Sequence, residues 1–167
     1  MLSYLPEMRN TQLQAFGGLK SDRLISKIRN RVISCHGVRN VIVHVGTNDI
    51  YDFTISQFES NIRNAISEIR KCNTDCLIFL SSILPRPTDF KCSKELVSNF
   101  NQVLQNISDS LSYVRYMGID KVFYSKYKKP IGCLFSADKL HLSTTDLNKI
   151  LNYIANTLAH AYDLEYK

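Results

Sequence analysis

The sequence predicts an α/β fold in three layers, α/β/α, with a parallel sheet between sheaths of helix. Two observations carry this. Short, nearly continuous apolar runs at 38–45 and 76–80 have the composition of parallel strands covered on both faces. Between them lie longer segments whose apolar residues recur at helical spacing. A chain that alternates strand and helix in this way builds right-handed crossovers and therefore a parallel sheet. Its 167 residues fit one domain spanning 1–167, because no repeat, low-complexity tract or Gly/Ser-rich linker divides them.

In chain order, Leu13-Gln-Ala-Phe16 is a short strand candidate ended by Gly17-Gly18. Ser21 is placed to cap a helix on which Leu24, Ile25, Ile28 and Val32 recur at helical spacing. Residues 38–45 form the clearest strand. The next segment, 56–71, carries Phe58, Ile62, Ala65, Ile66 and Ile69 on one helical stripe. A buried strand follows at 75–82, closed by Pro85 and Pro87. Leu96, Val97, Phe100, Val103, Leu104 and Ile107 mark a long helix over 93–111, and 113–117 reads as a further strand. After a loop-rich stretch to Leu142, Leu147, Ile150, Leu151, Ile154 and Leu158 predict a final helix over 144–162. Ligands in such sheets bind beyond the carboxyl ends of the strands. Gly18, Asn48, the Pro85-Arg86 corner and the loop holding His141 all fall there.

Composition excludes some classes. Hydrophobic residues make up 44% and charged residues 22%, an ordinary globular mixture. No apolar run approaches the ~18 residues of a membrane span. Met1-Leu-Ser-Tyr-Leu-Pro has neither a basic start nor a long apolar stretch, so no signal peptide is visible and a cytoplasmic location is expected. The five cysteines are irregularly spaced, without a Cys-x-x-Cys pair or a His at zinc-binding distance, which reads as reduced thiols and no metal or cofactor. The formal charge of +6 invites a nucleic-acid partner. Yet the basic residues are scattered, with Lys126-Tyr-Lys128-Lys129 the densest cluster, so only weak binding is expected.

Several groups could carry chemistry. Gly46-Thr-Asn48-Asp49 leaves a strand directly: a Gly permits a sharp exit, and an Asn after it can aim its amide across the sheet edge. A plain turn uses the same residues. Asp138-x-x-His141 places a carboxylate where it can bond Nδ1–H and leave Nε2 free as a general base, although a turn Asp beside a surface His gives the same pattern. Gly17-Gly18 alone is a weak signal, because a Gly-Gly pair is more often only a turn. Arg86 could reach a pocket and bind an anionic group, or simply stand exposed on its loop. His44, inside an apolar strand, reads as a hydrogen-bonded core residue, while His36 and His160 show nothing special.

Three blocks in order, Val41-Ile-Val-His-Val-Gly46-Thr47-Asn48-Asp49, Ser81-Ser82-Ile83-Leu84-Pro85-Arg86 and Asp138-Lys139-Leu140-His141-Leu142-Ser143, resemble the SGNH (GDSL-type) hydrolase superfamily. The resemblance runs from Gln12 to Leu158 and looks most like esterase-like domains of animal non-LTR retrotransposons. It implies a flavodoxin-like sandwich and hydrolysis of carboxylic esters, with small esters or acylated sugars as substrates. It assigns the general base to His141, its orienting acid to Asp138, and oxyanion donors to the Asn48 amide and the Gly18 N–H. The chain departs from the family at Asp146, where Gly is frequent, and above all at the nucleophile. That serine closes a Gly-Asp-Ser motif, and no Gly-Asp pair occurs anywhere in the sequence. Ser3 has no strand ahead of it, and Asp109-Ser110 lies in a helix. The expectation is an N-terminally truncated domain lacking its first central strand, with ladder edges left open and activity crippled. A non-catalytic binding module and a nucleic-acid-associated mobile-element protein are the alternatives.

Overall fold

The computed structural model describes residues 11–143 and 152–157. Its elements run α1 (Ser21–Arg29), β1 (Asn40–Val43), α2 (Ile55–Cys72), β2 (Leu77–Ser81), α3 (Phe90–Ser110) and β3 (Val114–Met117), followed by 3₁₀ turns at Ile119–Phe123 and Gly132–Leu134. The strands form a parallel three-stranded sheet in the order β1-β2-β3, with Val41 opposite Ile78 and Leu80 opposite Tyr116. Because the sheet grows in one direction, right-handed crossovers put α2 and α3 on the same face. α1 packs beside α2 on that face.

Strand alternation then sorts the core. Ile78 and Leu80 point into a cluster with Leu24, Ile28, Phe58, Ile62 and Phe100 from the helices. Phe79 points the other way, with Met117, Ile119, Phe123 and Leu134, and there Tyr153 and Ile154 of the helical residues 152–157 close the second face. Helices on both faces of a parallel sheet are the predicted architecture.

Helix α2 shows how local sequence fixes an end. Thr54 accepts from the Gln57 N–H at 3.2 Å, and Gln57 Oε1 accepts from the Thr54 N–H at 2.9 Å, a reciprocal capping box. Its predicted stripe, Phe58 to Ile69, is buried throughout.

Some expectations fail for physical reasons. Residues 13–16 form no strand: Leu13 is exposed, and Phe16 packs instead under the Lys27 ammonium. Lys20, not Ser21, is the N-cap of α1; Ser21 is its first helical residue and is buried. Val32 lies beyond the helix and is exposed. Helix α1 ends there in a Schellman motif: Val32 N–H bonds Lys27 O, Arg31 N–H bonds Ile28 O, and Arg31 takes φ 56°. The strand expected at 38–45 shrinks to β1, and all of its residues are half-buried rather than covered, because among the described residues only β2 borders it. α3 begins three residues before its predicted start. Ser3, Asp146, Leu147, Ile150, Leu151, Leu158 and His160 lie outside the described residues.

Candidate active site

The loop after β1 is shaped by one glycine. Gly46 sits at φ +123°, and a Cβ there would collide with the Ile83 side chain and press on Phe58. Only glycine lets the chain turn this tightly over the core. The turn closes with the Asp49 N–H on Gly46 O at 2.9 Å, which brings Asn48 and Asp49 toward α1.

Asp49 is fully buried, and its Oδ1 accepts from the Ser21 N–H at 2.9 Å and the Ser21 hydroxyl at 2.6 Å. Asn61 of α2 donates to that hydroxyl in turn. Burial pushes the Asp49 carboxyl above its usual value, with the Ser21 bonds opposing. Asn48 Nδ2 donates to Leu19 O at 3.3 Å, so the Asn48 amide and the Gly17-Gly18 turn are neighbours. Gly18 has φ +65° and is exposed, and among the described residues its N–H has no acceptor. It borders an open cavity of about 640 Å³, shared with Phe16, Arg23 and Lys27.

The second half of the site is a tight hairpin. Ser136 N–H bonds His141 O at 2.8 Å, and Phe135 pairs antiparallel with Leu142. Inside it, Asp138 Oδ1 accepts from the Leu140 N–H, the His141 N–H and the Ser136 hydroxyl at 2.9–3.0 Å. Its Oδ2 lies 2.6 Å from His141 Nδ1. The bond to His141, helped by the backbone donors, holds Asp138 well below the usual carboxylate range. The His141 ring is 79% exposed, so Nε2 is open to a reacting group.

What joins the halves is the corner after β2. Arg86 Nη1 donates to Thr47 O at 2.8 Å, while its Nε and Nη2 grip Asp89. Tyr51 donates to the same carboxylate at 2.8 Å. Burial works to raise the Asp89 pKa, but the bonds from Arg86 and Tyr51 outweigh it and keep the group ionised. Two residues on, Thr88 N–H donates to Lys139 O at 3.1 Å. One corner thus braces both the Asn48 loop and the His141 hairpin. Arg86 is therefore neither a free anion binder nor an exposed loop residue: its side chain is 12% exposed and fully engaged. Asn101 completes the frame, bonding the Ile83 N–H and C=O from α3.

His44 also departs from its core reading. It does hydrogen-bond, through Nδ1 to Ser81 Oγ at 2.9 Å, but it lies just past β1 and the residue is partly open to solvent. The surrounding mass of the fold still desolvates its imidazolium and lowers its pKa. Sequence reasoning passed over Asp49, Ser21 and Asn61 as site supports. The bonds that join Ser21 to Asp49 span 28 residues, so no local pattern announced them.

No protein-family model matches the chain, and no curated protein matches it. Solved structures do. A putative acylhydrolase from Bacteroides fragilis superposes with a TM-score of 0.74 at 18% identity, covering 89% of this chain and 74% of that one. A GDSL-like lipase from Bacteroides thetaiotaomicron gives 0.68 at 16% identity, over 86% and 73%. The fold is that of the SGNH hydrolases. The esterase domain of the ORF1 protein of the zebrafish ZfL2-1 retrotransposon also superposes, with a TM-score of 0.55 at 18% identity over 93% of this chain and 89% of that one.

Proposed function

We propose that this chain carries the base, the orienting acid and the oxyanion donors of an SGNH-type carboxylic-ester hydrolase, but not its serine nucleophile. His141 is the base, Asp138 fixes its tautomer, and Asn48 Nδ2 with the Gly18 N–H receives the oxyanion. Short-chain or O-acetyl esters, including acylated sugars, are the substrate class. The observation that carries the reading is the 2.6 Å Asp138–His141 contact, with Asp138 immobilised and Nε2 left open. The frame through Arg86 and Thr88 supports a common cleft for both halves.

A second reading, a non-catalytic binding module, is favoured by a sequence fact: no Gly-Asp pair exists to supply the serine. Loss of one triad member still leaves about 10³–10⁴-fold acceleration over water, far below a working esterase. One experiment separates the readings. The unextended chain is expected to hydrolyse p-nitrophenyl acetate barely above background, and Ser3→Ala to change nothing. An added N-terminal strand ending in Gly-Asp-Ser is expected to create esterase activity that His141→Ala abolishes and Asn48→Ala lowers by roughly 10²–10³-fold. If the extended, folded protein stays inactive, the binding-module reading stands. An active unextended chain that dies with Ser3→Ala would make Ser3 the nucleophile.

A further inference from the structure

Beyond the β3 strand the chain makes a narrow finger. Tyr124 pairs antiparallel with Pro130, Ser125 N–H bonds Lys129 O at 2.9 Å, and Lys128 N–H bonds Ser125 O at 2.9 Å. Its tip presents Lys126, Tyr127 and Lys128, with Lys129 at its base, and all are exposed. Tyr127 is 73% exposed, more than any other large hydrophobic residue of the described chain. Lys126 reaches over its ring, 5.0 Å from the centroid. Among the described residues no carboxylate pairs with any of the finger's lysines. Lys128 adopts φ 57°, a left-handed conformation in which glycine or asparagine would be less strained. A lysine held there keeps positive charge at the tip at the expense of local stability.

The finger's base runs into a shallow apolar cleft of about 680 Å³ between Phe90, Lys91, Lys129 and Pro130. Among the described residues lining this cleft the acid is Asp89, already occupied by Arg86 and Tyr51.

We infer that this finger and cleft bind single-stranded nucleic acid, with Tyr127 stacking on one base and the lysines following the phosphates. An exposed ring framed by unpaired cations on a preorganised turn matches the stacking-plus-charge chemistry that single strands offer. An anionic membrane is the poorer fit, because a lone tyrosine flanked by lysines supplies little apolar surface to insert. The inference goes beyond the ester chemistry and does not depend on hydrolysis. It localises the weak, sequence-tolerant binding that the charge of +6 suggests.

The test is fluorescence anisotropy with the full chain and a labelled oligouridylate, at low and raised salt. Tyr127→Ala is expected to weaken binding roughly 5- to 100-fold, and Tyr127→Phe, which keeps the ring, to bind as the parent does. Changing Lys126, Lys128 and Lys129 together to Gln is expected to flatten the salt dependence by ~0.7 per lost phosphate contact. The control Arg31→Gln/Arg39→Gln, which removes exposed charge away from the finger and cleft, should have little effect. Matched thermal melts confirm that each variant folds. Absence of binding by the parent overturns the inference. So does an affinity unchanged in Tyr127→Ala, or a control that weakens binding as much as the finger variants. In a parallel arm with phosphatidylserine vesicles, loss of vesicle binding in Tyr127→Ala with oligonucleotide binding intact would reassign the finger to membranes.

Discussion

Asp138 is held by donors that all prefer its charged form: the His141 ring first, then the Leu140 and His141 N–H groups. Its folded pKa therefore lies below the unfolded value. The stability it contributes is complete above the unfolded pKa and is lost as pH falls through the folded one. At pH 3.8, where an ordinary aspartate is half protonated, the Asp138 carboxylate is expected to remain ionised in a side-chain ¹³C NMR titration. His141→Ala should raise its midpoint, with the backbone donors keeping it below an ordinary Asp. A wild-type midpoint no lower than that of His141→Ala would mean that the pair does not persist in solution. This pair was legible in the sequence because both partners sit within three residues of one loop. Arg86 was not, since its key acceptor, Thr47 O, is 39 residues away in sequence and belongs to the backbone. No side-chain pattern records such a bond.

Whole elements were legible where burial alone decides them. The stripes of α2 and α3 each admit one buried face, and the apolar run of β2 demands cover on both, which fixes the type of each element. Ends decided by distant partners were not. Ser21 carries an N-cap residue's chemistry, yet its hydroxyl is taken by Asp49 from another loop, which moves the cap back to Lys20. The start of α1, and with it the Gly17-Gly18 turn, is thereby tied to the Asn48 loop. Asp49→Ala would leave the buried Ser21 N–H and hydroxyl without their acceptor, and is expected to cost about 1–3 kcal/mol. Asp49→Asn keeps an oxygen for Ser21 and should lose less. The pH dependence carries the sign. Because burial raises the Asp49 pKa, its ionisation penalises the fold as pH climbs through the range above 3.8, and the Asn variant should lose that decline. Urea unfolding of the three proteins across acid to neutral pH measures both effects. Equal stability of the Ala and Asn variants would show that the Ser21 bonds contribute nothing.

At the scale of the molecule, the sheet is asymmetric about β2. Ile78, Phe79 and Leu80 are at most 1% exposed and face both cores, whereas every residue of β1 is half-buried. Ladder geometry assigns the backbone directions. Leu77 N–H bonds Arg39 O, so Arg39, Val41 and Val43 turn their peptide groups to β2, and Ile42 turns its own outward. Ile78 and Ser82 meanwhile donate to β3, through Tyr113 O and Met117 O. Regions with few buried contacts open locally, while doubly paired core strands release their amides only on global unfolding. Native-state hydrogen exchange should therefore rank the amides of Ile78, Phe79 and Leu80 slowest, Val41 and Val43 intermediate, and Ile42 fast. The same measurement tests the expectation of a missing central strand. On adding a strand that ends in Gly-Asp-Ser, Ile42 should slow toward the β2 class if the newcomer pairs with β1, and its exchange should not change if it docks elsewhere. An Ile42 amide already as protected as Leu80 in the unextended chain would mean that β1 has a second neighbour in solution, and that the sheet is not short of a strand there.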